Sequence, residues 1–312
     1  MLNKYRDNIL CFNDDIQGTG ATTLAGVMSA LRARGESVES LADQRILIAG
    51  AGSAGIGVAQ VIMQAMIEQG VSEQAARNAF FICDQHGLLG SARVRELSRE
   101  QAVFARSEDS GMPLQKVMEK YKPTILLGLT AVGGLFTEEL ITTMAAHCER
   151  PIIFSLSNPT SKAECTARQA YEWTNGKCIF ASGSPFDPVE LDDGRVFQIS
   201  QCNNMFIFPG LGLGATVCGA KKVTDRMLYE SAKALAEFLS PEDLASGQIF
   251  PPVRRIREVS HKVACAVIRE AYKEKLQNHI TEREMENLED YVHSKMYDPV
   301  YVPLVEKRTI TI

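Results

Sequence analysis

The segment Gly50-Ala51-Gly52-Ser53-Ala54-Gly55 constrains this chain more than any other. A short apolar run, Arg45–Ala49 (RILIA), precedes it, and a helical pattern over Ser53–Glu68 follows. A GxGxxG string between a buried strand and a helix is the context in which that motif binds a ligand. Gly50 permits the tight turn, Gly52 lets the backbone approach a pyrophosphate, and Gly55 allows close helix–strand packing. The free N–H groups at Ser53 and Ala54, with the helix dipole, then face the phosphates. Without a ligand the same string is a glycine-rich buried turn.

The rest of the pattern fits a sheet built around that turn. Ala79–Cys83, Pro123–Leu127, Pro151–Phe154 and Lys177–Ala181 read as further buried strands. Helical patterns lie around Gln17–Arg34, Leu114–Lys120, Thr137–Ala146 and Lys162–Trp173. Strands alternating with helices give βαβ units and a parallel sheet covered on both faces. The spacing predicts a Rossmann-type, doubly wound α/β fold over 14–203. A helical region follows over 204–312. There Thr224 caps Asp225–Leu239, Ser240-Pro241 opens another helix, and Ile256, Val259, Val263, Val267 and Ala271 recur at helical spacing. Thr281–Glu284 is a capping-box pattern.

The second strand ends at Asp84, where a carboxylate binds the ribose hydroxyls of NAD and repels a 2′-phosphate. It lies 29 residues beyond Gly55, where about 20 is usual, so the connection is extended. The alternative is a plain turn cap before Gly87. Arg93, Arg95 and Arg99 follow, and one of them would neutralise a 2′-phosphate, so NAD is preferred and NADP stays possible.

Composition narrows the function classes. The chain has 312 residues, 33 Lys+Arg against 38 Asp+Glu and a formal charge of −5. That balance argues against nucleic acid or an anionic membrane as partner, since both attract clustered positive charge. Hydrophobic residues make up 45%, which is too apolar for disorder. Ile46–Ile67 and Val196–Ala220 lack charge over lengths that invite a membrane span. Gly, Gln, Asn or Pro breaks both, and the glycine turn accounts for the first. The eight cysteines are scattered, without CxxC or zinc spacing, and read as reduced thiols of an intracellular protein. No GxSxG elbow supports a serine nucleophile.

Three strings are far more specific. Cys11–Thr19 reads CFNDDIQGT, Phe154–Glu164 reads FSLSNPTSKAE, and Ile179–Pro209 contains FASGSPF, DGRVF and CNNMFIFPG. With the glycine turn and Met296-Tyr297-Asp298-Pro299, they resemble the NAD-binding half of malic enzyme over nearly the whole chain. The resemblance implies oxidative decarboxylation of malate to pyruvate and CO2, with NAD or NADP and Mg2+ or Mn2+. It implies Asp15 as a metal ligand and Asp14 as a contact of the catalytic lysine. It places Thr19 near the cofactor, Asn158 and Asn204 on substrate, and Asn158 and Asn203 on the nicotinamide side. Taken alone, adjacent aspartates before a helix are also plain N-caps, and Asn203-Asn204 are also turn residues.

The family's tyrosine acid, lysine base, substrate arginine and Glu-Asp pair belong to an N-terminal half not found in this sequence. The expectation is a chain whose residues 1–13 are a stub, with dinucleotide binding retained and decarboxylation impaired. The helices from Asn204 to about Lys275 would then expose an apolar face and drive association, as in a homo-oligomer. The compartment is cytoplasmic or mitochondrial. Two other readings stay open: a different NAD-linked dehydrogenase, and a non-catalytic dinucleotide-binding or subunit-interaction protein.

Overall fold

The central strands of the sheet are buried along their length, and their alternate residues feed two separate cores. The computed structural model describes residues 2–301. Met1 of the segment 1–13 and positions 302–312 of the region 204–312 lie outside the described residues. The strands are β1 (Ile46–Ala49), β2 (Phe80–Asp84), β3 (Gly87–Leu88), β4 (Ile125–Gly128), β5 (Ile152–Ser155), β6 (Ile179–Ser182), β7 (Val189–Glu190), β8 (Val196–Phe197) and β9 (Ser200–Gln201). Among the described residues they form a seven-stranded sheet in the order β3-β2-β1-β4-β5-β6-β9, and a separate β7-β8 ribbon. Only β3 runs antiparallel within the large sheet. The order reverses between β1 and β4, which is where a doubly wound sheet opens a ligand crevice.

The main helices are α1 (Thr19–Ala33), α2 (Ser53–Glu68), α3 (Leu114–Tyr121), α4 (Glu138–His147), α5 (Ala167–Trp173), α6 (Phe208–Val217), α7 (Asp225–Ala236), α8 (Ile256–Lys273) and α9 (Leu288–Lys295). Side chains alternate across a strand with period two. Ile46, Ile48, Phe80, Ile82, Ile125, Leu127, Ile152 and Phe154 therefore enter one core with α1, α2 and the C-terminal helices. Leu47, Phe81, Leu126, Ile153 and Phe180 enter the other, with α3, α4 and α5. Each fully buried Phe or Ile stabilises by about 1.5–3 kcal/mol relative to exposure.

This arrangement corrects one expectation. Among the described residues the helices after Asn204 pack most of their apolar side chains within the chain, while Phe208 and Val253 stay exposed. α7 lies against α1 and α2, and α8 lies against α6 and α7. Helix α1, apolar all round, is buried from Gly20 to Leu31 because the sheet, α2 and α7 enclose it. The charge-free run Val196–Ala220 becomes β8, β9 and α6. Glycine spacing lets α6 approach α8: a Cβ at Gly210 would lie 2.6 Å from Val263 Cβ, and one at Gly214 2.8 Å from the Ala264 carbonyl. No helix among the described residues is long and apolar enough to cross a membrane.

Helix boundaries follow local chemistry. Thr137, Thr166, Thr224 and Ser240 each accept a backbone N–H at a helix start. The short helix Glu73–Asn78, inserted between α2 and β2, accounts for the long spacing from Gly55 to Asp84.

Candidate dinucleotide and substrate site

The glycine turn is built by close backbone approach. Gly50 has φ +113°, and a Cβ there would lie 2.3 Å from the Leu129 carbonyl oxygen. At Gly55 a Cβ would lie 1.9 Å from the Gly50 carbonyl oxygen. Gly52 faces open space. It caps α2 without any side-chain acceptor, so the first-turn N–H groups of this 16-residue helix stay available to an anion. Ser53 and Gly52 line a cavity of about 630 Å³, together with Ala51, Ser98, Glu100 and Gln101. The Gln101 amide donates to the Ala51 carbonyl (2.8 Å), holding that segment over the turn. Ala54 instead lines a second cavity of about 460 Å³. The N-terminus of α2 thus stands between two cavities, as a pyrophosphate bridging a nucleoside and a nicotinamide requires.

Asp84, at the end of β2, lines neither of these two cavities and is already engaged. Arg93 donates to both oxygens (3.1 and 2.6 Å), and the His86 N–H adds a third bond (2.7 Å). Against the upward push of burial, these donors hold the Asp84 carboxyl below the usual carboxylate range. Arg95 and Arg99 are exposed. Of the three arginines anticipated here, only Arg93 meets Asp84.

The second cavity brings together Asp14, Asp15, Thr19, Asn158, Asn203 and Asn204 from four separated segments. The chain enters it through a wide turn, Asp14–Gly18, in which the Thr19 N–H reaches the Asp14 carbonyl. Asn13 caps this turn by accepting the Ile16 N–H (2.9 Å). Neither aspartate is the cap, so both carboxylates are released for other work. Asp14 folds over Gly18, where a Cβ would lie 1.9 Å from its Oδ1. The Asn204 amide donates to Asp14 Oδ2 (3.2 Å) and to Thr19 Oγ1 (3.1 Å). Asp14 Oδ1 is buried with no partner. Burial raises the Asp14 carboxyl above its ordinary value, the Asn204 bond opposes this, and the neighbouring Asp15 charge adds to it.

Asn203 is partly a local cap, accepting the Met205 N–H (3.0 Å), which leaves its amide N–H groups for a ligand. Asn158 is exposed, and its carbonyl accepts from Ser184 Oγ (2.6 Å). Cys202 also lines this cavity, with its thiol pushed up to about 12 by burial, so it is no nucleophile. Asp14 and Asp15 are hard oxygen donors of the kind Mg2+ and Mn2+ take. Among the described residues no three His, Cys, Asp or Glu side chains converge. The residues present do not fit a complete shell of about six oxygens, and no chemical step is assigned here to a metal ion.

One feature of the site went unread in the sequence. Glu164 is fully buried and ties the loop after β4 to the loop after β5. Its signal was present: Ser155 and Ser157 sit two apart, on one side of an extended strand end, seven residues before a lone glutamate.

Comparison with known proteins agrees with this geometry. The family model described as "Malic enzyme, NAD binding domain" matches residues 16–272. The NADP-dependent malic enzyme of Dictyostelium discoideum is 47% identical over 304 residues, covering 96% of this chain and 54% of that protein. The NAD-dependent malic enzyme of Vibrio campbellii is 42% identical over 309 residues, covering 96% and 54%. The chain therefore spans about half the length of the curated relatives it matches. The solved structure of Entamoeba histolytica malic enzyme shares the fold, with TM-score 0.73 at 24% identity over 94% of this chain and 56% of that one. A glycine turn after β1 that stands between two cavities, and these matches over most of its length, make this chain a member of the malic enzyme family, corresponding to the family's NAD-binding domain.

Proposed function

We propose that this chain binds a nicotinamide dinucleotide across the N-terminus of α2 and presents its nicotinamide to malate, for NAD(P)-dependent, metal-dependent oxidative decarboxylation to pyruvate and CO2. The observation that carries this reading is the uncapped start of α2 between two cavities. Phosphates neutralise the free N–H groups and helix dipole there. The adenosine lies toward Asp84 and the nicotinamide toward Asp14, Asn158 and Asn203.

Malate brings two carboxylates and a hydroxyl that must lose a proton as hydride leaves. The Asn158 amide N–H groups orient such an anion without adding titrating charge, and Asn204 joins them only by releasing Asp14 or Thr19. The unpartnered Asp14 Oδ1 suits a cationic acid–base group. No Lys, Arg or Tyr lines the second cavity among the described residues. Asp14 and Asp15 would hold Mg2+ or Mn2+ only with further oxygen ligands, and the ion so held would supply Lewis-acid polarisation.

The cofactor is NAD in preference to NADP. A 2′-phosphate would have to displace Asp84 from Arg93 and sit beside Glu96, which also pairs with Arg93 (3.5 Å). These two carboxylates outweigh one guanidinium. Titration with NADH and NADPH, followed by nicotinamide fluorescence, tests both claims. The expected result is saturable NADH binding, tighter than NADPH. Absence of NADH binding, or tighter NADPH binding, overturns the respective claim.

A further inference from the structure

Glu164 is a buried carboxylate that pairs with no Lys or Arg among the described residues. Its Oε1 accepts from the Thr130 N–H (2.9 Å), Thr130 Oγ1 (2.9 Å) and Ser157 Oγ, and its Oε2 from Ser155 Oγ (3.1 Å) and the Ser157 N–H (3.5 Å). Each of the three hydroxyls also accepts a backbone N–H. Ser157 Oγ takes that of Ala131 (2.8 Å), Thr130 Oγ1 that of Val132 (3.0 Å), and Ser155 Oγ that of Cys165 (3.3 Å). A hydroxyl has one proton to give. Each hydroxyl gives that proton to Glu164 and takes the N–H on a lone pair. The carboxylate is therefore an acceptor at every contact, and the direction of the whole network depends on it.

What the network holds is the wall of the second cavity. Leu129, Ala131, Leu156, Ser157 and Asn158 all line it. Ala131 is held at φ +56°, a conformation costly for a residue with a side chain. Space for the carboxylate is reserved in the sheet itself: a Cβ at Gly128 would lie 2.5 Å from the Glu164 Cδ.

We infer that Glu164 is the positioning residue of the nicotinamide subsite: through Ser157 and Thr130 it fixes the Leu129–Ala131 loop and Asn158 against the nicotinamide end of the dinucleotide. This rests on the dinucleotide reading above. It makes no contact with the ligand and leaves the turn at Gly50–Gly55 to hold the rest.

The test separates the two ends of the cofactor by comparing NADH with ADP-ribose, which lacks the nicotinamide. Glu164→Gln sets an amide N–H₂ against donors that have nowhere else to turn. Ser157→Ala removes the link from Glu164 to the Ala131 N–H together with one hydroxyl of the cavity wall, and serves if Glu164→Gln does not fold. Either variant is expected to weaken NADH binding by about tenfold while ADP-ribose affinity stays within about twofold. The enhanced, blue-shifted emission of bound NADH should be lost in parallel. Equal losses for both ligands show a general structural role and overturn the inference. Unchanged NADH affinity and emission in a folded variant overturn it as well. Failure of the unsubstituted chain to bind ADP-ribose instead overturns the dinucleotide reading beneath it.

Discussion

Two loops at the same edge of the sheet are built by opposite means. The Gly50–Gly55 turn is shaped by missing side chains, so backbone can touch backbone and a ligand can touch both. The Leu129–Ala131 loop is shaped by a side chain, Glu164, that arrives from 34 residues away in sequence and gathers hydroxyls and N–H groups around a buried charge. The first solution is local and brittle to any added atom. The second is distributed, and removing one member leaves other donors unsatisfied in a site that excludes water.

The largest effect expected from breaking this contrast is at the turn. Gly50→Val places a branched side chain at positive φ and against the Leu129 carbonyl. NADH and ADP-ribose affinities should fall together by about a hundredfold, read by fluorescence titration and competition, since strain of about 1–3 kcal/mol displaces the backbone that holds the pyrophosphate. Retained ADP-ribose binding would show that the turn is not the anchor. The Glu164 variants come next, with their loss confined to the nicotinamide end.

A smaller effect concerns cofactor choice. Asp84→Asn frees Arg93 and removes a negative charge. The ratio of NADPH to NADH affinity should rise by about tenfold, a typical change for an exposed charge brought onto a phosphate. An unchanged ratio would remove Asp84 from cofactor choice.

The smallest effect is on stability, and the two aspartates should move in opposite directions with pH. The Asp14 carboxyl is raised in the folded chain, so the folded state binds protons more readily than the unfolded one. Stability from this group is present at low pH and falls as pH rises through the window from the unfolded value to the raised folded one. Asp14→Asn should therefore raise Tm at neutral pH, with the gain fading below the ordinary carboxylate range. The Asp84 carboxyl is lowered, so its stabilisation is present above the unfolded value and disappears as pH falls through the depressed folded one. Asp84→Asn should lower Tm at neutral pH and cost less in acid. Thermal melts of both variants from pH 3 to about pH 8 check the signs, since unfolded carboxylates titrate near pH 4. Shifts of the same sign would refute the assigned environments.

Legibility followed the range of the interactions. The strand at Arg45–Ala49, the glycine turn, the helix after it and the caps at Thr224 and Ser240 were all readable, because each depends on residues within a turn or two of one another. The cavity residues Asp14, Asp15, Thr19, Asn158, Asn203 and Asn204 were named from motif resemblance, and the fold brings them to one place. Their individual partners were not readable. Asn204 spends its amide on Asp14 and Thr19, and Asp84 spends both oxygens on Arg93. Helix α6 was readable only as part of a helical region from Asn204, because Phe208-Pro209-Gly210-Leu211-Gly212-Leu213-Gly214 carries glycines that local propensity counts against a helix, while packing on α8 uses two of them.

What the sequence alone determined is the parallel α/β framework and the glycine-rich, uncapped start of α2. Strand period, apolar runs and glycine sterics are short-range properties that the order of residues already contains. What only the tertiary structure decided is how the site is wired. The C-terminal helices close over α1 instead of facing outward, Arg93 sits on Asp84, and Glu164 reaches under two loops. Each of these brings together groups far apart in the chain, and desolvation in the folded interior then makes their hydrogen bonds obligatory.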